Sequence, residues 1–169
     1  VLQEDGRHPD GFADAGDLIL PFGDKKAALS LIRHAAMHFL NKKIKILGLG
    51  GEHLISYPLV QTLVEQAGHD LTLVHFDAHA DLRESYQGYH FSHASIMNNV
   101  VSKLSLIKLV QVGIRDYCEE EKQFIESHKN NVKTFFDDYL KSELFKGKSW
   151  SALVDEIISE LPKNIYISF

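Results

Sequence analysis

Residues 77–81 read Asp77-Ala78-His79-Ala80-Asp81 and directly follow the run Leu71-Thr72-Leu73-Val74-His75-Phe76. Side chains at i, i+2 and i+4 of an extended backbone leave on the same side. Asp77, His79 and Asp81 can therefore converge on one point just past the end of a buried strand. One imidazole and two carboxylates suit a borderline-to-hard divalent ion such as manganese better than a thiolate-preferring one. A single Asp after a strand is more often a turn cap; three potential ligands in strict alternation form a metal-site pattern. His53 follows Gly48-Leu49-Gly50-Gly51-Glu52. The third glycine of a dinucleotide fingerprint would fall on His53 itself, and no Lys-Ser/Thr pair completes a P-loop. The glycines are better read as a tight turn that lets backbone approach closely and presents His53 as a fourth ligand from a second strand end.

Two further histidines are candidate proton carriers, His90 and His93, in the aromatic and polar loop 82–93. Ser92 can cap a helix over 93–102 and place His93 in its first turn, where the helix dipole lowers an imidazole's pKa. Spacing does not separate His90 from His93. His34 and His38 lie four apart, but Ala35 stands where a metalloprotease has Glu, so they read as surface or half-buried residues. His75 reads as a satisfied core histidine.

These residues need elements to hold them. Asp24 can cap a helix over 25–41 with Ala28, Leu31, Ile32, Ala35, Ala36 and Phe39 on its apolar face. Residues 44–49 are apolar and β-branched, as in a strand. A helix over 57–67 has Pro58 near its start and turns Leu59, Leu63, Val64 and Ala67 inward, with Gly68 as its stop. Strands are expected at 71–76, 109–115, 132–136 and 164–169, and helices at 119–128, 138–146 and 150–160. Residues 1–23 read as loop with at most a short strand near Leu18. Strands alternating with helices imply βαβ units, a parallel sheet and helices on both faces.

The 169 residues suffice for one domain with a substantial core. Hydrophobic and charged contents of 44% and 24% are those of a globular chain, and the net charge of −5 has no basic stripe for nucleic acid. Cys118 is the single cysteine, so no disulfide framework exists within the chain, which fits a reducing compartment. No apolar run spans a bilayer, and no signal peptide opens the chain. A cytoplasmic location is expected.

Taken together, these motifs resemble the ureohydrolase family, the arginase and agmatinase group. Gly50-Gly51-Glu52-His53 is similar to its first metal motif and Asp77-Ala78-His79-Ala80-Asp81 to its second. Phe91-Ser92-His93-Ala94-Ser95 resembles the segment that carries a proton-shuttling histidine, and Gln111-Val112-Gly113-Ile114-Arg115 resembles a strand end of the agmatinase branch. The resemblance implies a three-layer α/β/α fold with a parallel sheet and a centre of two manganese ions. In it Asp77 would bridge the ions, His53 and Asp81 would complete the first site, His79 would serve the second, and His93 would move a proton. It implies hydrolysis of a guanidino group to urea and an amine, most like agmatine to putrescine in polyamine biosynthesis. Arginine, guanidinobutyrate and formiminoglutamate remain open as substrates, and Glu84 is a candidate carboxylate for a cationic tail. Members assemble as trimers or hexamers.

The family's third motif, Ser-Phe-Asp-x-Asp, is represented only by Ser168-Phe169. The expectation is therefore a single partial domain, truncated at both ends, that supplies four of six ligands and is inactive and metal-poor on its own. A non-catalytic relative acting through assembly is the alternative from another class. A lone-metal hydrolase built on His53, Asp77, His79 and Asp81 is a third.

Overall fold

The structure, a computed structural model, describes residues 11, 13–67, 70–104 and 108–169. Helix α1 (Lys25–Leu40) is followed by a short 3-10 turn at His53–Ile55 and helix α2 (Ser56–Ala67). Strand β1 (Thr72–Phe76) leads through the loop 77–92 to a second 3-10 turn, His93–Ser95, and helix α3 (Ile96–Lys103). Then come β2 (Lys108–Ile114), α4 (Glu119–Ser127), β3 (Val132–Phe136), α5 (Asp137–Phe145), α6 (Trp150–Ser159) and β4 (Ile165–Ser168). The four strands form one parallel sheet in the order β3-β2-β1-β4, with β1 in the interior.

Period-2 alternation divides the strand side chains between two cores, one on each face. Leu73 and Leu109 point to the face covered by Leu29 of α1, Val60 of α2, Met97 and Val100 of α3 and Phe124 of α4. Val110, Val112 and Phe135 point to the other, where Leu140 of α5 and Leu153 and Ile157 of α6 close over them. The result is the expected three-layer α/β/α arrangement. Because β1 is covered on both faces, Thr72 through His75 are all buried, which is why its sequence is a near-continuous apolar run.

Caps fix where the helices begin. Asp24 Oδ1 accepts from Ala27 N at 2.9 Å to start α1, and Ser149 Oγ accepts from Ala152 N at 3.1 Å to start α6. Helix α1 buries Ile32 and Ala36, as expected, and packs Leu29 against the core, whereas Leu31 is exposed; α2 packs Leu63 and Val64 inward, as expected, and buries Val60, while Leu59 is half-buried. The stop at Gly68 lies outside the described residues, as do residues 1–10 of the N-terminal loop.

Two expected strands are absent among the described residues. Residues 18–20 are irregular and exposed, and so are 44–49. The second stretch has the composition of a strand but no neighbouring strand to pair with among the described residues, and β-propensity alone does not order an unpaired strand. Leu49 is 86% exposed. The free edge of β4 and residues 45–51 line the same open cleft of about 1200 Å³.

Candidate metal centre

The C-terminal end of β1 opens into that cleft, where sites form in open α/β sheets. Side chains from three chain segments meet there. His53 comes from the turn after the glycines, Asp77 and Asp81 from the loop after β1, and Ser168 from the end of β4. Gly50 keeps that turn tight, because a Cβ on it would collide with Ile55 Cδ1. Gly113, at φ +89°, produces a register shift in β2 beside Asp77, whose carbonyl oxygen lies 3.4 Å from where a Cβ would sit. Asp81 is held at φ +54°, a left-handed conformation that Asp tolerates better than most residues. Its carbonyl thereby turns to accept from Met97 N at 2.9 Å and Asn98 N at 3.3 Å, anchoring the start of α3. Buried Glu121 ties the same loop down. Its two oxygens accept from Leu82 N and from Cys118 N, each at 2.9 Å.

His53 Nδ1 lies 2.7 Å from Asp81 Oδ2 and 3.8 Å from Asp77 Oδ2, while His53 Nε2 lies 2.7 Å from Ser168 Oγ. The two oxygens of Asp77 face different histidines. Oδ2 is 3.2 Å from His75 Nε2, and Oδ1 accepts from His79 N at 2.9 Å with His79 Nδ1 at 3.2 Å. Burial pushes the Asp77 carboxyl up, but the hydrogen bonds from His75 and His79 outweigh it and hold it well below the usual carboxylate range. His75 is fully buried, and its desolvation lowers its pKa against the opposing pull of Asp77.

One potential ligand atom from each of His53, His75, Asp77 and Asp81 lies within 4.8 Å of all the others. Two carboxylates with imidazoles, partly buried and converging, are a donor set that suits a divalent ion of the manganese or zinc kind.

Of the residues singled out from sequence, His53, Asp77 and Asp81 are brought together. His79 stands beside them on the outer oxygen of Asp77, with its side chain 61% exposed and its Nε2 3.8 Å from Asp116 Oδ2. His93 lines the same cleft, 57% exposed, with its backbone N–H on Glu52 Oε1 at 3.0 Å and its ring edge-on to Tyr86. His90 does not line the cleft, and its Nδ1 lies 3.2 Å from Glu84 O. Glu84 is likewise outside the lining, whereas Glu52, Asp116 and Glu121 are in it. His34 and His38 are exposed on α1 and take no part.

Ser168, Gln111 and Glu52 were not foreseen as site residues. Ser168 and Gln111 are the register partners of His75 in the neighbouring strands. Each lies in a segment that resembles a family motif, and each is a polar residue inside an otherwise apolar strand.

Known proteins resemble this chain in sequence and in fold. The model of the arginase family matches residues 4–169. Agmatinase of Bacillus cereus is 36% identical over 124 residues, a match that covers 73% of this chain and 42% of the relative. N(1)-aminopropylagmatine ureohydrolase of Thermus thermophilus is 36% identical over 138 residues, covering 82% and 43%. The chain thus spans less than half the length of these curated relatives. The crystal structure of agmatine ureohydrolase of Thermoplasma volcanium shares the fold, with a TM-score of 0.77 at 24% identity over 98% of this chain and 53% of that one. By the reach of the family match and by its relatives, this chain belongs to the arginase family of ureohydrolases.

Proposed function

We propose that the chain carries the metal-binding segment of a manganese-dependent amidinohydrolase that converts agmatine to putrescine and urea. The observation that carries this reading is the convergence of His53, Asp77 and Asp81 at the C-terminal end of β1, in a chain similar to agmatinases over 73% of its length. His53 and Asp81 would hold one ion and His79 a second, with Asp77 offering one oxygen to each. That assignment is supported by the opposite facing of the two Asp77 oxygens. When bound, the ion pair supplies the Lewis acidity that yields a hydroxide nucleophile from water near neutral pH.

The remaining chemistry belongs to side chains. A guanidinium carbon is a poor electrophile, and the departing amine needs a proton once the tetrahedral intermediate collapses. We assign that transfer to His93, a reading supported by its position in the lining of the same cleft beside Glu52 and Tyr86. Glu52 and Asp116, with Asp77 and Asp81, outnumber Lys45 and Arg83 in the lining and favour a cationic substrate over an anionic one.

Among the described residues, this reading leaves Asp77 and His79 as the ligands for a second ion. The 169-residue chain by itself is therefore expected to hold less than a full pair and to release no urea. A homo-oligomer of the complete enzyme and a cytoplasmic location belong to the same proposal. Among the described residues no helix is long and apolar enough to cross a membrane.

The test is urea release from agmatine and from arginine by the full-length protein, with and without added manganese. Manganese-dependent urea from agmatine alone supports the proposal. Urea from arginine instead, or equal rates after chelation, refutes the substrate or the metal part respectively.

A further inference from the structure

The parallel register brings four polar residues into one row across the sheet. Thr134 of β3 pairs with Gln111 of β2, Gln111 with His75 of β1, and His75 with Ser168 of β4. Registered neighbours in a parallel sheet project to the same face, and here that face is packed against a largely aliphatic and aromatic core. His75 and Gln111 are both fully buried. Polar groups in such a place are costly unless hydrogen-bonded, and each of these is.

The bonds determine where the protons are. The carbonyl of Ala80 can only accept, so Gln111 presents Nε2 to it, at 2.8 Å. The amide orientation that follows puts Oε1 in place to accept from Thr134 Oγ1 at 3.0 Å. Gln111 Nε2 also lies 3.1 Å from His75 Nδ1. A ring nitrogen faced by an N–H must offer its lone pair, so Nδ1 carries no proton and Nε2 does. The Nε2–H points at Asp77 Oδ2, 3.2 Å away.

We propose that His75 is a positioning residue and not a metal ligand: Thr134 and Gln111 hold it as the Nε2–H tautomer, and it donates to Asp77 Oδ2 to fix that carboxylate's orientation toward the ion. This deepens the metal-centre reading and rests on it. His75 belongs to the group of four residues whose ligand atoms crowd within 4.8 Å, so proximity alone would make it a ligand. Ligation through Nε2 needs the lone pair that the proton occupies, and ligation through Nδ1 would need the ring to leave Gln111. Ser168, the fourth member of the row, stands in the same relation to His53, with Oγ 2.7 Å from Nε2.

The test begins with the unsubstituted full-length protein, stripped of metal and labelled with 15N-histidine, at neutral pH. Long-range proton–nitrogen correlation should show the His75 ring protonated on Nε2 alone. Manganese affinity is then measured by chelator competition for His75→Phe and His75→Gln. His75→Phe removes the donor and should weaken manganese binding by about 10–100-fold without changing the number of ions bound at saturation. His75→Gln carries an N–H to roughly the same place and should recover most of that loss. A proton on Nδ1, one ion fewer at saturation in His75→Phe, or His75→Gln as weak as His75→Phe would each overturn the proposal. A wild-type protein that binds no manganese overturns the metal centre and the positioning role with it, an outcome distinct from a wrong tautomer.

Discussion

Asp77→Asn replaces one oxygen by an NH2 group and removes one charge, and the surroundings determine its cost. Two histidines flank the carboxylate: His79 N donates to Oδ1 at 2.9 Å, with His79 Nδ1 3.2 Å from the same oxygen, and His75 Nε2 lies 3.2 Å from Oδ2. An amide accepts at one end only, so its nitrogen must confront one of the two histidines. Confronting His75 would strand a fully buried N–H, whereas His79 is exposed and water can replace the lost acceptor. The amide should therefore turn its nitrogen to His79. Loss of the charged acceptor there and weakening of the bond to His75 together cost about 2–3 kcal/mol in metal-free protein. For a domain of this size that lowers Tm by roughly 4–12 °C.

Manganese separates this structural cost from the metal role. An ion held only by the folded state stabilises it by about 2.7 kcal/mol when present at 100 times its Kd. If Asp77 is a ligand, the variant forfeits that gain, and the gap between wild type and variant widens to about 5 kcal/mol on adding manganese. Urea denaturation followed by circular dichroism, with chelator and with manganese, measures both gaps. Equal gaps in the two conditions would refute the assignment of Asp77 as a ligand. A gap near zero in chelator would refute the hydrogen-bond geometry itself.

His93→Ala should lower the rate of urea release by about 10²–10⁴-fold and leave manganese affinity unchanged, while His90→Ala should change neither; steady-state kinetics with metal titration distinguishes them. Gly50→Ala should cost on the order of 1 kcal/mol, because its Cβ meets Ile55 Cδ1. Ile55→Val deletes that atom, so a double-mutant cycle should show favourable coupling of about 1 kcal/mol. Asp77 has a depressed pKa when folded, so below about pH 3.9 the unfolded state binds more protons and stability rises with pH. That contribution is complete above the unfolded value and is lost as pH falls through the folded one. The acid limb of the wild-type stability curve should be steeper than that of Asp77→Asn.

The elements that position the site were legible where local chemistry decides them. The Asp24 cap, the apolar run of β1 and the glycine turn before His53 are each set by neighbours within a few residues. Residues 44–49 were misread for the complementary reason. Their composition is that of a strand, but strand formation requires hydrogen bonds to a neighbour, and pairing is not encoded in the segment itself. Ser168 and Gln111 were missed because their roles come from register. Nothing local says that they flank His75, and only the assembled sheet lines them up.

His75 and His79 show how far periodicity reaches. Both lie two residues from Asp77, so strict alternation sends both to the same side as the carboxylate. What separates them is where the sheet ends. His75 is still inside β1, with hydrogen-bonded strands on either side, a neighbour to fix its tautomer and no access to water. His79 is past the last residue of β1, held by the bridge to Asp116 and by its N–H on Asp77 Oδ1, with its side chain open to the cleft. An imidazole with a free lone pair facing solvent can bind an ion that diffuses in. One whose lone pair is engaged by Gln111 and whose proton is engaged by Asp77 can only orient its neighbour. The same side chain at equal spacing is thus suited to ligation on one side of Asp77 and to support on the other, and the sheet boundary between them makes the difference.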